Sequence, residues 1–276
     1  MNNKDKSQLY NKITPIFVIG AMKCGTATIY EHLKTQNQIC FAPVKETEFF
    51  SIRMGKSKYK LSNFWELYKI QSHHKFVFDG STGYTKYPAE DGVPKRIFDH
   101  GLRPKFIYIV RNPFDRIESH YNYMIKDLSW KGKINSKHLI NVSNYYLQLK
   151  QYEPYFEKED ILILDFDELR KSQKSFLKKV YEHVGIKDYK VNDSLHSHIT
   201  KPVNQNEIKL KKKLEGKFTF FPQPIKQAGK KVFSNLFIKK KTKLKSKHRK
   251  QIYDQLKDDM TKFKTEYEFP VEKWGF

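Results

Sequence analysis

Three unbroken apolar runs stand out along the chain: Ile16–Ile19, Phe106–Val110 and Ile161–Leu164. Runs of this length without polar alternation read as strands buried on both faces, as in a parallel sheet. Lys75–Tyr84 reads as a shorter strand running into a loop. Between these runs the apolar positions fall at helical spacing. Ala27, Ile29, Tyr30 and Leu33 form one such set, and Ile117, Tyr121 and Met124 another. Phe176, Leu177, Val180, Tyr181 and Val184 form a third, closed by Gly185 as a C-cap. Further helices are predicted over 57–71, over 89–99 with an interruption near Pro94, over 139–156, and in the tail on Ile252, Leu256, Met260 and Phe263. Residues 126–138 and 196–204 are polar and read as loops. Short apolar strands alternating with helices predict an α/β fold with a central parallel sheet flanked by helices.

The first strand–helix junction carries the most chemistry. Gly20 and Gly25 bracket a short loop between the strand and a helix that opens at Thr26. In such a junction the loop N–H groups and the helix N-terminus converge on one place and favour an anion. Lys23 adds a charge there, and Thr26 and Thr28 add hydroxyls. The junction does not match the common triphosphate loop G-x-x-x-x-G-K-[ST], because its lysine sits inside the loop. A tight βα turn without a ligand is the plain alternative.

Composition narrows the partners. The chain has 276 residues with a formal net charge of +23, which predicts anionic partners: a phosphorylated cofactor, an acidic glycan, nucleic acid or an anionic membrane surface. Residues 209–213 and 226–250 are dense in lysine, which by itself describes a solvated face. Cys24 and Cys40 give neither a disulfide framework nor metal-ligand spacing, and read as free thiols. No apolar run is long enough to span a bilayer, and no signal-peptide core follows the polar start, so a cytoplasmic protein is expected. The expected layout is a polar tail over 1–12 and one domain over 13–276, with a lysine-rich insertion or lid at about 205–250.

Two other stretches hold candidate groups. In Ile39–Phe50, Pro43 favours an extended or turned backbone, on which Glu46 and Glu48 would share a face. Phe49 and Phe50 would anchor that segment. Either glutamate is equally well read as part of a solvated acidic pair. Arg111 stands at the C-terminal end of a predicted strand, where open α/β sheets bind ligands, and Ser119 follows about two helical turns on. Arg111 pairing with an acid is the plain reading.

Taken together these stretches resemble the sulfotransferase family, whose members use 3′-phosphoadenosine-5′-phosphosulfate (PAPS). Lys23-Cys24-Gly25-Thr26-Ala27-Thr28 resembles the family's 5′-phosphosulfate loop. The stretch Arg111-Asn-Pro-Phe-Asp-Arg116-Ile-Glu-Ser119-His-Tyr121 resembles its 3′-phosphate motif, R-[DN]-P-x-x-R-x-x-S-x-Y. Asp79–Tyr84 is similar to an E-x-S-P-x-Y stretch between them, Ile161–Leu169 to a later strand, and Trp274 to a closing tryptophan. The resemblance implies a P-loop-like three-layer fold with a central parallel sheet. It implies that Lys23, Cys24, Gly25, Thr26, Ala27 and Thr28 hold the 5′-phosphosulfate, that Arg111 and Ser119 hold the 3′-phosphate, and that Lys201, beside Thr200, lies on a loop over the cofactor. Glu46, just before the double phenylalanine, falls where glycan-acting members have a catalytic base, with Glu48 as its rival for that role. Lys23 would stabilise charge on the leaving oxygen, and no metal is called for. The implied reaction moves a sulfuryl group from PAPS to a hydroxyl or amine, with a carbohydrate as the implied acceptor, an acidic glycan included, and adenosine 3′,5′-bisphosphate as product. Ala27 replaces the usual second threonine and Thr82 a proline, both expected to be mild. Gly80 stands where some members have a catalytic lysine. Two other readings are a P-loop-type small-molecule kinase with Asp165 holding a metal, and a basic protein binding nucleic acid through 209–250.

Overall fold

A computed structural model describes residues 9–52, 63–189, 191 and 241–276. Lys201, Thr200, the loop 196–204, and lysine-rich residues 205–240 lie outside the described residues.

Five strands form one sheet, in the order β2-β3-β1-β4-β5, and every pairing is parallel. In chain order the elements are β1 (Thr14–Gly20), α1 (Thr26–Leu33), β2 (Ile39–Phe41), β3 (Phe76–Asp79), α2 (Val93–Asp99), β4 (Lys105–Val110), α3 (Pro113–Asp127), α4 (Lys137–Asn141), α5 (Tyr145–Lys150), β5 (Ile161–Asp165), α6 (Phe166–Lys171), α7 (Gln173–Val184) and α8 (Ser246–Tyr267). The three long apolar runs became the three strands β1, β4 and β5. Ile16 to Ile19, Phe106 to Val110 and Leu164 are buried, as residues covered on both faces must be. β1 is the sheet's centre. The chain leaves it for β2 and β3 on one side and then crosses to β4 and β5 on the other. The carboxyl ends of β1 and β4 therefore border a switch-point crevice, the usual ligand site of an open α/β sheet.

An aromatic cluster fills the core under β1. The Phe17 ring lies 5.5 Å from Phe64, 5.9 Å from Tyr84 and 6.0 Å from Phe106. α7 packs on β4 and β5, and its C-terminus ends on Gly185 at φ 80. α8 buries Ile252, Leu256, Met260 and Phe263, the four residues its spacing singled out.

Some elements differ from the sequence expectation. β2 adds an edge strand where only an extended or turned segment was expected. Pro94 does not interrupt a helix. It sits in the first turn of α2, where its missing N–H costs nothing. The described part of 57–71 is a single 3-10 turn, Phe64–Leu67, capped by Asn63. The predicted helix over 139–156 is split into α4 and α5 at Val142–Asn144, where Ser143 turns inward to accept a bond from Arg116. The end of the polar tail is not free of the core, because Tyr10 stacks on Trp65 at 4.8 Å.

Candidate active site

The loop after β1 is built to be tight. β1 loses register with β4 between Val18 and Gly20, and Thr85 Oγ1 donates to the freed Ile19 carbonyl at 2.7 Å. A Cβ on Gly20 would meet that hydroxyl at 2.1 Å, so only glycine fits. Gly25 has φ 88, and its Cβ would meet Phe166 and Leu169 at 2.9 Å. Lys23 takes φ 74, a left-handed conformation uncommon outside glycine and concentrated at functional sites. Gly25 caps α1 without a side-chain hydrogen bond, and the first turn of α1 has no acidic residue. The backbone N–H groups of Gly25, Thr26 and Ala27 find no acceptor among the described residues. Three converging donors at a positive helix end form an anion cradle.

The loop residues divide by direction. Cys24 is buried, its N–H already bonds the Ala21 carbonyl at 3.1 Å, and burial pushes its thiol pKa up to about 12. It is a wall of the cradle, with an inert thiol. Ala27 is exposed, and its methyl group offers the cradle no polar atom. Lys23 places its ammonium 4.6 Å from the Tyr123 ring centroid on α3. Burial lowers its pKa, opposed by Asp127 and assisted by Arg111.

Cations from β4 and α3 close the other side. Arg111 donates to the Lys23 carbonyl at 3.4 Å, lies over the Phe166 ring at 4.7 Å and is held from behind by Tyr145, whose hydroxyl donates to the Arg111 carbonyl at 2.6 Å. Among the described residues it pairs with one acid, Asp115, which is 4.0 Å away and half-exposed. Ser119 lies one turn beyond Asp115 on α3, along the same helix face. Arg116 is fully buried and structural. It donates to Ser143 Oγ at 2.6 Å, to the Leu139 carbonyl and to the Met22 carbonyl at 3.4 Å, clamping the loop to α3 and α4. It also faces His120 Nδ1 at 3.1 Å, and burial together with that charge drives the His120 pKa far down.

The Glu46 segment corrects the sequence reading. Glu48 has φ 53, so the backbone is not extended there, and although both carboxylates reach the Thr82–Gly83 turn they differ in burial. Glu48 is fully buried, accepting from Ser51 Oγ at 2.5 Å and from the Gly83 N–H at 2.9 Å. Glu46 is partly exposed. Lys45 Nζ donates to Glu46 Oε1 at 2.9 Å, and Thr82 Oγ1 donates to Glu46 Oε2 at 3.0 Å. Burial would raise the Glu46 pKa, but the charge and hydrogen bond of Lys45, the Thr82 hydroxyl and Lys86 outweigh it and hold the carboxyl below its ordinary value. The proline-to-threonine departure at Thr82 thus adds a donor to this carboxylate. Asp79 anchors the surroundings, accepting from Thr47 Oγ1 at 2.7 Å, Ser81 Oγ at 2.5 Å and Tyr84 at 2.7 Å.

Lys45 is the residue that sequence reasoning missed. Its ammonium reaches Thr26 Oγ1 at 3.1 Å and the Gly80 carbonyl at 3.5 Å as well as Glu46. A cation therefore stands beside Gly80 although Gly80 has no side chain. The adjacent signal was the lysine directly preceding Glu46, which carried no spacing motif of its own. Beyond the Thr82–Thr85 turn a cavity of about 290 Å³ opens, lined by Lys86, His138 and Asn141 among others.

A family model described as a sulfotransferase domain matches residues 14–264. The chain belongs to the sulfotransferase family. The kinase reading gives way with this. Asp165 is also committed elsewhere: it caps α6 through the Asp167 N–H at 2.9 Å and accepts from Lys273 at 2.6 Å. The fold is that of a sulfotransferase from Alicyclobacillus acidocaldarius, with a TM-score of 0.68 at 17% identity, covering 95% of this chain and 99% of that one. Among curated proteins, the chain is 24% identical over 123 residues to luciferin sulfotransferase of Photinus pyralis, covering 42% of this chain and 32% of that protein. It is 20% identical over 242 residues to carbohydrate sulfotransferase 15 of Mus musculus, covering 62% of this chain and 43% of that protein. The chain thus spans less than half the length of these curated relatives.

Proposed function

We propose that this sulfotransferase takes its sulfuryl group from PAPS and delivers it to a hydroxyl of a carbohydrate, with acidic glycans favoured. The observation that carries this reading is the bridge made by Lys45, whose ammonium touches both Thr26 at the mouth of the anion cradle and the Glu46 carboxylate. It puts a carboxylate next to the place where an anionic donor would dock. The residues present suit such a donor: three backbone N–H groups without acceptors among the described residues, the Thr26 hydroxyl, and the cations Lys23, Lys45 and Arg111.

When bound, PAPS supplies an activated sulfuryl group on a phosphate leaving group. The chain's own residues do the rest. Gly25, Thr26 and Ala27 hold the 5′ end through backbone donors, with Thr28 beside them. Arg111 and Ser119 hold the 3′-phosphate, since an arginine fork gives charge-assisted bonds to phosphate oxygens. Lys23 balances the charge that builds on the leaving oxygen. Glu46 accepts the acceptor's hydroxyl proton; a positioned carboxylate base contributes about 10²–10⁴-fold. Glu48 is a buried strut and Thr82 an orienting donor. Lys86, whose charge reaches Glu46, faces the cavity through which an acidic acceptor would approach.

Carbohydrate acceptors are supported by the position of Glu46 before Phe49–Phe50 and by the mouse relative's printed name, carbohydrate sulfotransferase 15. The test is transfer of label from labelled PAPS, without added metal, to a panel of glycan, lipid and phenolic acceptors. Transfer to glycans that is lost in Lys23→Ala is expected. Transfer to phenols alone would overturn the carbohydrate acceptor, and phosphoryl transfer from ATP would overturn the reaction.

A further inference from the structure

Lys45 has an unusual set of partners. Among the described residues its ammonium bonds one charged group, Glu46 at 2.9 Å, together with the Thr26 hydroxyl at 3.1 Å and the Gly80 carbonyl at 3.5 Å. The pair is not sealed from solvent, with side chains 19% and 37% exposed, so neither partner is locked in place by burial. Thr26 opens α1, and the N–H groups of Gly25, Thr26 and Ala27 have no acceptor among the described residues. An anion seated there comes within reach of the same ammonium. The two oxygens of Glu46 are held separately: Oε1 by Lys45 and Oε2 by Thr82. Removing Lys45 from Oε1 would leave the carboxylate oriented by Thr82, with a free oxygen.

We infer that Lys45 is a shared cation which Glu46 holds in the free enzyme and which transfers to the phosphosulfate when the donor binds, so that donor binding itself releases Glu46 as the base. This rests on the PAPS reading above. A carboxylate paired with an ammonium is a weaker base than one that is not, because the positive charge favours its ionised form. The depressed Glu46 pKa, in which Lys45 is the largest opposing influence to burial, agrees with a base restrained until needed. Once the ammonium has moved, the acceptor's hydroxyl proton passes to Glu46 Oε1 as its oxygen bonds to sulfur. The sulfur–bridging oxygen bond breaks, and its electron pair stays on the departing 5′-phosphate, where the ammonium now lies. The proton leaves Glu46 for solvent afterwards. An enzyme so built keeps its base restrained in the absence of donor.

The inference predicts a coupling that a purely structural ion pair would not give. If Glu46 competes with the donor for Lys45, removing the Glu46 charge should tighten donor binding, and should do so mainly when Lys45 is present. The test is calorimetric binding of PAPS, without acceptor, to the full chain in four forms: unaltered, Lys45→Met, Glu46→Gln and the double variant, with Lys45→Gln as a second replacement in case Lys45→Met folds poorly. Lys45→Met should weaken binding about tenfold and Glu46→Gln should tighten it about fivefold. In the Lys45→Met background the Glu46→Gln gain should shrink at least threefold. An equal gain in both backgrounds, or an unchanged affinity in Lys45→Met, would overturn the shared cation while leaving the donor assignment standing. Failure of the unaltered protein to bind PAPS would overturn both.

Discussion

At the scale of single residues, the two glutamates are told apart by environment. Glu46 is partly exposed and reaches the cradle through Lys45, whereas Glu48 is buried on Ser51 and Gly83. Glu46→Gln is expected to lower the turnover number about 10²-fold or more, because the loss is confined to the transition state. Glu48→Gln is expected to lower the thermal midpoint and to leave the turnover of the folded fraction within a few-fold of the unaltered enzyme. Steady-state kinetics beside a thermal melt checks both, and near-normal turnover in Glu46→Gln would remove it as the base. Arg111→Ala should weaken adenosine 3′,5′-bisphosphate binding by about 2 kcal/mol and adenosine 5′-phosphate binding much less. Equal weakening of both by calorimetry would mean that Arg111 supports the loop through Lys23 rather than the 3′-phosphate. The sequence marked Glu46, Arg111 and the loop because each sits in a spaced motif. It could not mark Lys45, nor give Thr82 its orienting role, because these come from contacts across 19 and 36 positions of chain. It also read the backbone at Glu48 as extended, because a left-handed turn has no composition signal when a glutamate adopts it.

At the scale of elements, α8 supports the site from behind. Phe263 packs on Tyr145 at 5.8 Å, and Tyr145 in turn holds the Arg111 carbonyl. Truncating a fully buried phenylalanine costs about 3–5 kcal/mol, so Phe263→Ala should lower unfolding free energy in denaturant by that amount. A loss under about 1 kcal/mol would contradict this packing role. α8 also carries Asp259, which accepts from the Tyr146 and Leu147 N–H groups at 3.1 and 2.9 Å. Burial lifts its carboxyl from the ordinary 3.8 to about 7, against the pull of those two bonds. A carboxyl with a raised folded pKa binds its proton more tightly in the folded state, so its contribution to stability falls as pH rises from about 4 to 7. The unaltered protein's advantage over Asp259→Asn in thermal midpoint should therefore be larger at pH 5 than at pH 8. An advantage that is flat or grows with pH would contradict the shift. The helix itself was legible, because its four buried residues keep strict spacing. The break between α4 and α5 was not, because it is imposed by Arg116, a partner 27 residues away.

At the scale of the whole molecule, topology and charge matter most. The strand order puts the loop after β1 and Arg111 after β4 on either side of one crevice. The three buried strands made that much readable, since apolar runs report burial on both faces. The edge strand β2, only three residues long, left no such run. The net charge of +23 sets a field that attracts anions. Among the described residues no helix is long and apolar enough to cross a membrane. With an acidic glycan the acceptor Michaelis constant should rise steeply with ionic strength, as exposed charges are screened, and a salt-insensitive constant would contradict that role for the charge. The donor assignment is tested most directly by calorimetric titration of the unaltered protein, without metal, with adenosine 3′,5′-bisphosphate and with adenosine 5′-phosphate. The two ligands differ only in the 3′-phosphate. Binding of the bisphosphate at least tenfold tighter is the result predicted here; equal affinity would contradict it.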